Sequence, residues 1–265
     1  QNLGVPGAIA FDFADTTRYH ATADPNMFSV VARYRGTIAQ QTLGQAPTFI
    51  TYEYGANEVL GSATSGGAIA VFPAANYGAL LTGHMNAIHA TLPNTKVAIF
   101  TVPDVASIPF CTTFKPYTVT ISTGAVTPLK GPNGDLSPND LVLLTAKDSL
   151  AVGTGFPVGT YNYLNPAAPG NGRPLTNTQV LNVAEQTTIR TATGLMNTAV
   201  DSVAQRPFVV KVDLAGLLSQ MATSGYTVGA THYTTSFVTG GLFSLDGVHP
   251  TDLGHAIVAN AMIDA

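Results

Sequence analysis

Three short apolar runs most constrain what this chain can fold into. They cover residues 47–55, 95–103 and 207–214, and each is rich in Val, Ile, Phe or Tyr and bounded by Pro, Gly or Asn. Such runs are typical of strands buried in a parallel sheet. Between them, apolar residues recur every three or four positions over 77–88 and 189–203, which indicates helices. The alternation predicts an α/β fold with a doubly wound, mostly parallel sheet in a three-layer α/β/α sandwich.

The segment from about 104 to 178 breaks this alternation. Its runs 115–122 and 140–147 can pair as strands, whereas 130–140 and 165–174 are rich in turn-forming residues. We interpret the segment as an insertion with a hairpin and long loops, within a single domain that spans residues 1–265. The insertion either shapes the rim of a substrate site or is a solvated excursion without a role in chemistry.

Charge and cysteine content exclude several classes of protein. The 11 Lys and Arg are not clustered and the net charge is -4, so no nucleic-acid partner is expected. No apolar run approaches the roughly 18 residues of a membrane span. The charged share of 10%, with abundant Gly and Pro, favours a secreted or cell-surface protein. Cys111 stands alone, so we expect a small buried residue and neither a metal site nor a cofactor.

The stretch SLDGVHPTDLGHA, residues 244–256, places Asp246 three positions before His249. Gly247 allows a tight turn between them, so the carboxylate can hold one ring nitrogen and leave the other free to accept a proton. A helix is predicted to follow, with Thr251 or Asp252 near its N-terminus. The same pattern is also compatible with a simple turn beside a surface histidine.

Two further stretches contain candidate donors for a developing oxyanion. Asn57 follows the first predicted strand in YEYGANEVL, at the carboxyl end where parallel sheets build sites. Gly4 lies in NLGVPGA at residues 2–8, where its backbone N–H can point at the same oxygen. Both residues also have ordinary interpretations, as a turn asparagine and as a glycine with an unusual backbone angle.

Together, NLGVPGA, GANE and DGVHP resemble, in this order, three sequence blocks of the SGNH, or GDSL-like, lipase/acylhydrolase family. Residues 237–260 look especially like bacterial secreted members. The resemblance implies a flavodoxin-like sheet and a serine-type ester hydrolase that needs no cofactor. It assigns His249 as general base, Asp246 as its orienting acid, and Gly4 and Asn57 as oxyanion donors.

The sequence departs from that family at two points. The usual aspartate of the G-x-N-D block is Glu58, and we expect its extra methylene to shift the loop that it braces. The G-D-S-L block with the nucleophilic serine does not appear. Ser137, in NGDLS, follows no buried strand, and Ser244, two residues before Asp246, is too near in sequence to be presented across the sheet. Because the strand of that block is central in this fold, we expect an upstream segment to supply both strand and serine.

Two functions from different classes therefore remain open. The first is an esterase, or an acyltransferase with the same residues, that acts on a small-molecule, lipid or glycan ester. The second is a surface binding or adhesion protein that keeps the fold and lacks catalysis. In either case the chain can associate with an N-terminal segment or within a larger assembly.

Overall fold

The central element of the fold is a parallel sheet of three strands. The computed structural model describes residues 2–20, 27–33 and 35–265. The sheet strands are β1 (Phe49–Tyr52), β2 (Lys96–Phe100) and β9 (Val209–Val212), where strands are numbered along the chain. β2 lies in the middle, with Phe49 aligned to Lys96 and Val97 aligned to Val209. The prediction that the three apolar runs form neighbouring parallel strands is confirmed.

Short antiparallel pairs lie outside this sheet. They are β3 (Tyr117–Val119) with β4 (Val126–Pro128), β5 (Lys130–Gly131) with β6 (Gly134–Asp135), β7 (Leu141–Val142) with β8 (Val180–Leu181), and β10 (Tyr226–Val228) with β11 (Thr231–Tyr233). The expected pairing of 115–122 with 140–147 is wrong. Each segment instead pairs elsewhere, because Gly124 closes a local hairpin with a positive φ of 70° and Leu141 is aligned with Leu181.

Helices connect the strands. They are α1 (Thr17–His20), α2 (Met27–Ala32), α3 (Ile38–Gly44), α4 (Ala56–Thr64), α5 (Ala74–Thr91), α6 (Pro109–Thr112), α7 (Lys147–Ala151), α8 (Val183–Val203), α9 (Leu214–Ser224) and α10 (Asp252–Asp264). The periodic segments 77–88 and 189–203 fall within α5 and α8, as predicted. α10 begins where expected, because the Thr251 side chain accepts a hydrogen bond from the amide of Gly254.

Side chains on the two faces of the sheet pack against different helices. Ile50, Tyr52, Val97 and Ile99 join the main hydrophobic core, which also contains the buried stripes of α5 and α8. On the other face, Ala98, Phe100 and Val212 form a smaller cluster. Residues Val258 and Met262 of α10 pack against that cluster. The described residues thus form a mixed α/β protein with a three-stranded parallel sheet.

The region from 114 to 180 has a hydrophobic cluster of its own. Its buried members are Phe114, Leu129, Leu136, Val142, Ala146, Leu150, Phe156, Leu175 and Val180. By contrast, Val105, Ile108 and Cys111 belong to the main core. The segment after β2 therefore crosses from the main core into a second small core.

The search for membrane spans covered the described residues. None of the helices there is both long and apolar enough to cross a bilayer.

Candidate active site

Asp246 and His249 contact each other directly at the turn before α10. The Oδ2 atom of Asp246 lies 2.6 Å from Nδ1 of the His249 ring. The other carboxylate oxygen, Oδ1, accepts hydrogen bonds from the Ser244 hydroxyl at 2.7 Å and from the amides of Val248 and His249 at 2.8 and 2.9 Å. The predicted hydrogen bond between the acid and the imidazole is present.

This geometry defines the protonation of the imidazole. Desolvation raises the pKa of Asp246, but the hydrogen bonds from His249, Ser244 and two amides outweigh it and hold the pKa well below its ordinary value. The carboxylate is therefore ionised and can only accept, so Nδ1 of His249 carries the proton. In the neutral ring, Nε2 is then the unprotonated nitrogen. The His249 side chain is 71% exposed, which leaves this ring open to an incoming group.

Gly247 lets the turn sit closely against the segment after β2. Its φ is 70°, and a Cβ there would lie 2.9 Å from the backbone nitrogen of Phe110 and 2.7 Å from a Leu144 methyl group. The Gly247 carbonyl accepts a hydrogen bond from the Phe110 amide at 2.9 Å. The turn with His249 is thus tied to a segment that follows the carboxyl end of β2.

Asn57 lies in the first turn of α4, just beyond the carboxyl end of β1. The turn that leads to it needs Gly55, whose φ is 126° and whose Cβ would lie 2.3 Å from a Val102 methyl group. Val102 itself follows β2, and the Asn197 side chain on α8 bonds to both its amide and its carbonyl. Sequence reasoning missed Asn197, whose only signal is a polar residue beside the apolar stripe of α8.

The two candidate oxyanion donors already have partners in the structure. The Asn57 side-chain amide donates to the Ala8 carbonyl at 2.8 Å, and the Gly4 amide donates to Oδ1 of Asn2 at 2.8 Å. Asn57 keeps a second N–H, whereas Gly4 must release Asn2 before its N–H can bind another oxygen. Asn57 thus belongs to a contact between the N-terminal segment and α4, whereas the bond of Gly4 is local to the N-terminal segment.

Glu58 holds this contact together. Its Oε1 accepts from the Ala10 amide at 2.6 Å and its Oε2 from the Gly55 amide at 2.9 Å. The side chain is buried, with 3% exposure. The longer glutamate thus reaches amides on both sides of the contact, 48 residues apart in one case. Whether the added methylene alters the position of Asn57 stays a prediction.

Burial of Glu58 makes stability depend on pH. Desolvation raises the pKa of Glu58 from 4.5 to about 6, against the opposing effect of hydrogen bonds from the backbone amides of Ala10, Glu58 and Gly55. The folded state therefore binds this proton more tightly than the unfolded state does. Its contribution is most favourable below pH 4.5 and is lost as the pH rises through 6.

We therefore expect Glu58→Gln to flatten the pH dependence. The free energy of unfolding of the wild type, minus that of the variant, should fall by about 2 kcal/mol between pH 4.5 and pH 7. Denaturant titrations at the two pH values measure this difference, and contributions from the other carboxylates cancel. A difference that stays constant with pH would contradict the burial of an ionisable Glu58.

Among the described residues, neither candidate serine hydroxyl is hydrogen-bonded to the imidazole of His249. Ser244 instead donates its hydroxyl to Oδ1 of Asp246, the carboxylate that contacts the His249 ring. Ser137 lies in a turn after β6, where its hydroxyl accepts from the Asn139 amide. Within the described part of the chain, no hydrogen bond involves Nε2 of His249.

Glu53, just after β1, lies near α10. Desolvation raises the pKa of Glu53 although the residue is exposed to solvent, and the electrostatic effect of His255 on α10 opposes this rise. Glu53 is also close enough to Glu58 to raise the pKa of that carboxyl. The helix that follows His249 therefore lies near the carboxyl end of β1, the end from which Asn57 is presented.

The structure also bears on the cysteine and on metal binding. Cys111 is fully buried, burial raises the pKa of its thiol to about 12, and its Sγ contacts the Val105 carbonyl. It is a core residue, as predicted. Across residues 2–20, 27–33 and 35–265, no group of three His, Cys, Asp or Glu side chains could hold a metal ion.

Comparison of the chain with protein-family models, with curated proteins and with solved structures found no significant match in any of the three.

Proposed function

We propose that this protein is a serine-type ester hydrolase of the SGNH, or GDSL-like, kind. The observation that carries the proposal is the short contact between Asp246 and Nδ1 of His249, which leaves Nε2 unprotonated and exposed. The proposal includes a three-layer α/β/α sandwich with a flavodoxin-like sheet. It also includes one cleft, at the carboxyl edge of that sheet, that Asn57 and the His249 ring share.

The nucleophile in this proposal is a serine on a strand that pairs with β1. Among the described strands, β1 pairs only with β2, so the other edge of β1 has no strand hydrogen-bonded to it. Its inward side chains, Ile50 and Tyr52, are nevertheless buried in the main core. A strand that pairs with this edge gives its backbone N–H and C=O groups hydrogen-bond partners, which favours such an addition. A parallel strand there presents its carboxyl end on the side where Asn57 lies.

The chemistry follows from the protonation of the site. The serine oxygen attacks the ester carbonyl carbon while Nε2 of His249 takes its proton, and the Asp246 carboxylate stabilises the imidazolium. Asn57 and Gly4 donate to the oxyanion, Gly4 after it releases Asn2. The imidazolium then protonates the leaving alcohol, and water attacks the acyl-enzyme by the reverse sequence. With a second alcohol in place of water, the same steps give acyl transfer.

The substrate in this proposal is a small-molecule, lipid or glycan ester, and the protein is secreted or at the cell surface. The exposed position of the His249 ring suits an ester that approaches from solvent. No cofactor is required, because each proton transfer uses a side chain of the site.

Labelling with a fluorophosphonate tests the proposal. This reagent phosphonylates an activated serine, and peptide mapping of the natural protein then identifies the residue. We expect one labelled serine, on a strand that precedes the NLGVPGA segment, and loss of labelling in His249→Ala. Labelling at Ser137 or Ser244 would show that this serine is the nucleophile instead. Labelling that persists in His249→Ala would refute the assignment of His249 as the base.

A binding or adhesion protein on the same fold is the second candidate. The hydrogen bonds of the two candidate oxyanion donors favour this second function, since Gly4 and Asn57 already donate to other atoms of the chain. A binding protein should have Ala or Gly at the position of the serine. It should then show neither fluorophosphonate labelling nor hydrolysis of aryl esters.

A further inference from the structure

An apolar groove lies beside α5, between this helix and the N-terminal segment. It is open to solvent along one side and has a volume of about 580 Å³, which is within the usual range for small-molecule sites. Its walls are mainly the side chains of Phe11, Phe72, Ala79 and Leu80. Asn76 and the imidazole of His84 contribute polar atoms. The proposed ester hydrolase chemistry does not use any of these residues.

His84 presents an unpartnered hydrogen-bonding atom to the groove. Its side chain is 6% exposed, and Nδ1 lies 2.7 Å from the hydroxyl of Tyr52, which is 2% exposed. Among the described residues, His84 is the only hydrogen-bond partner of that hydroxyl, so Tyr52 donates its proton to Nδ1. Nε2 therefore carries the ring proton and is a donor. Among the described residues no hydrogen bond involves this Nε2, and it is not one of the fully buried atoms without a partner, so it is open to the groove.

The charge of the His84 ring limits which hydrogen-bond acceptors the groove can bind. Burial lowers the pKa of His84 to about 4, so the ring is neutral at pH 7. A neutral N–H in apolar surroundings suits an uncharged acceptor, because a carboxylate would lose hydration without gaining a counter-charge. A hydrocarbon without an acceptor would leave the N–H unsatisfied.

We propose that this groove is a binding site for an uncharged aliphatic carbonyl compound. The carbonyl oxygen accepts from Nε2 of His84, and the alkyl chain lies along Phe11, Phe72 and Leu80. Medium-chain esters and ketones both have this combination of an uncharged carbonyl and an alkyl chain. The site is separate from the catalytic proposal, and it stands or falls independently of it.

The test uses 2-octanone, a carbonyl compound that an esterase cannot hydrolyse. Protein labelled with ¹⁵N-histidine is titrated with the ketone, and the Nε2 resonance of His84 reports on the hydrogen bond. We expect a saturable shift of that resonance. Octylammonium has the same chain length without an acceptor, and it should bind at least about 3-fold more weakly. Equal binding of octylammonium or of octanoate would overturn the assigned chemistry.

Gly83→Leu tests the location of the site. Gly83 lines the groove on α5, and a Cβ there meets no atom within 4 Å, so leucine fills the groove without strain. The matched control is Gly194→Leu, at an exposed helical glycine on α8 that also has open space. We expect Gly83→Leu to weaken binding of 2-octanone at least 10-fold and Gly194→Leu to leave it unchanged. Unaltered binding by a folded Gly83→Leu variant would refute the site.

Discussion

Replacing His249 with alanine is expected to lower kcat/KM for an aryl ester by roughly 10⁴- to 10⁶-fold in the natural protein. In the proposed mechanism, this variant lacks both the base that takes the serine proton and the acid that protonates the leaving alcohol. The loss should appear mainly in kcat, since the exposed ring has little apolar contact with which to bind substrate. Initial rates with a p-nitrophenyl ester measure it.

Two variants make this prediction specific. Asp246→Asn keeps the shape of the turn but can donate to Nδ1, which favours the wrong tautomer and should cost about 10⁴-fold. His232→Ala removes an exposed histidine that bonds only to the Thr227 hydroxyl among described residues, and it should leave the rate unchanged. If His249→Ala keeps a tenth or more of the activity while remaining folded, His249 is not the base.

Glu58→Ala is expected to destabilise the fold by about 2 to 6 kcal/mol. The substitution removes the acceptor for two amides, those of Ala10 and Gly55, and each buried donor left unsatisfied costs about 1 to 3 kcal/mol. Against a total stability of roughly 5 to 15 kcal/mol, this loss is a large fraction. Chemical denaturation followed by circular dichroism gives the value.

Glu185→Ala is the matched control for that prediction. Glu185 occupies the equivalent third position of α8 and accepts from the Asn182 amide at 2.7 Å. It is only half-buried, and among the described residues its carboxylate makes no hydrogen bond to a segment distant in sequence. Its loss should cost about 1 kcal/mol, as for an ordinary helix cap. Equal destabilisation by the two variants would show that Glu58 acts as a simple cap, and that the link to Ala10 contributes nothing.

Several features could be predicted from sequence because their cause is local. The strands need only β-branched and aromatic residues between turn formers, and α5 needs only the spacing of Tyr77, Leu81 and Ile88. The contact of Asp246 with His249 is local too, because three residues with a central glycine bring the two side chains together. The role of Asp213 as a helix cap follows in the same way, since its side chain accepts from the amide of Gly216.

Pairings across long separations could not be predicted in this way. The residues of β7 have no local pattern that selects β8 as partner, and the alternative pairing with 115–122 was equally consistent with composition. A two-residue strand has too few side chains to specify its register. The choice depends on which arrangement buries Leu129, Leu150 and Phe156 in one cluster.

For the candidate site, the sequence determined the residue types and the tertiary structure decided their bonding. The order of Gly4, Asn57, Asp246 and His249 along the chain was sufficient to suggest the chemistry. Only the fold shows that Ser244 supports the acid and that Asn57 bonds to the Ala8 carbonyl. A hydrogen bond needs its donor and acceptor about 3 Å apart. Only the packing of the whole chain brings segments that are distant in sequence to within this distance.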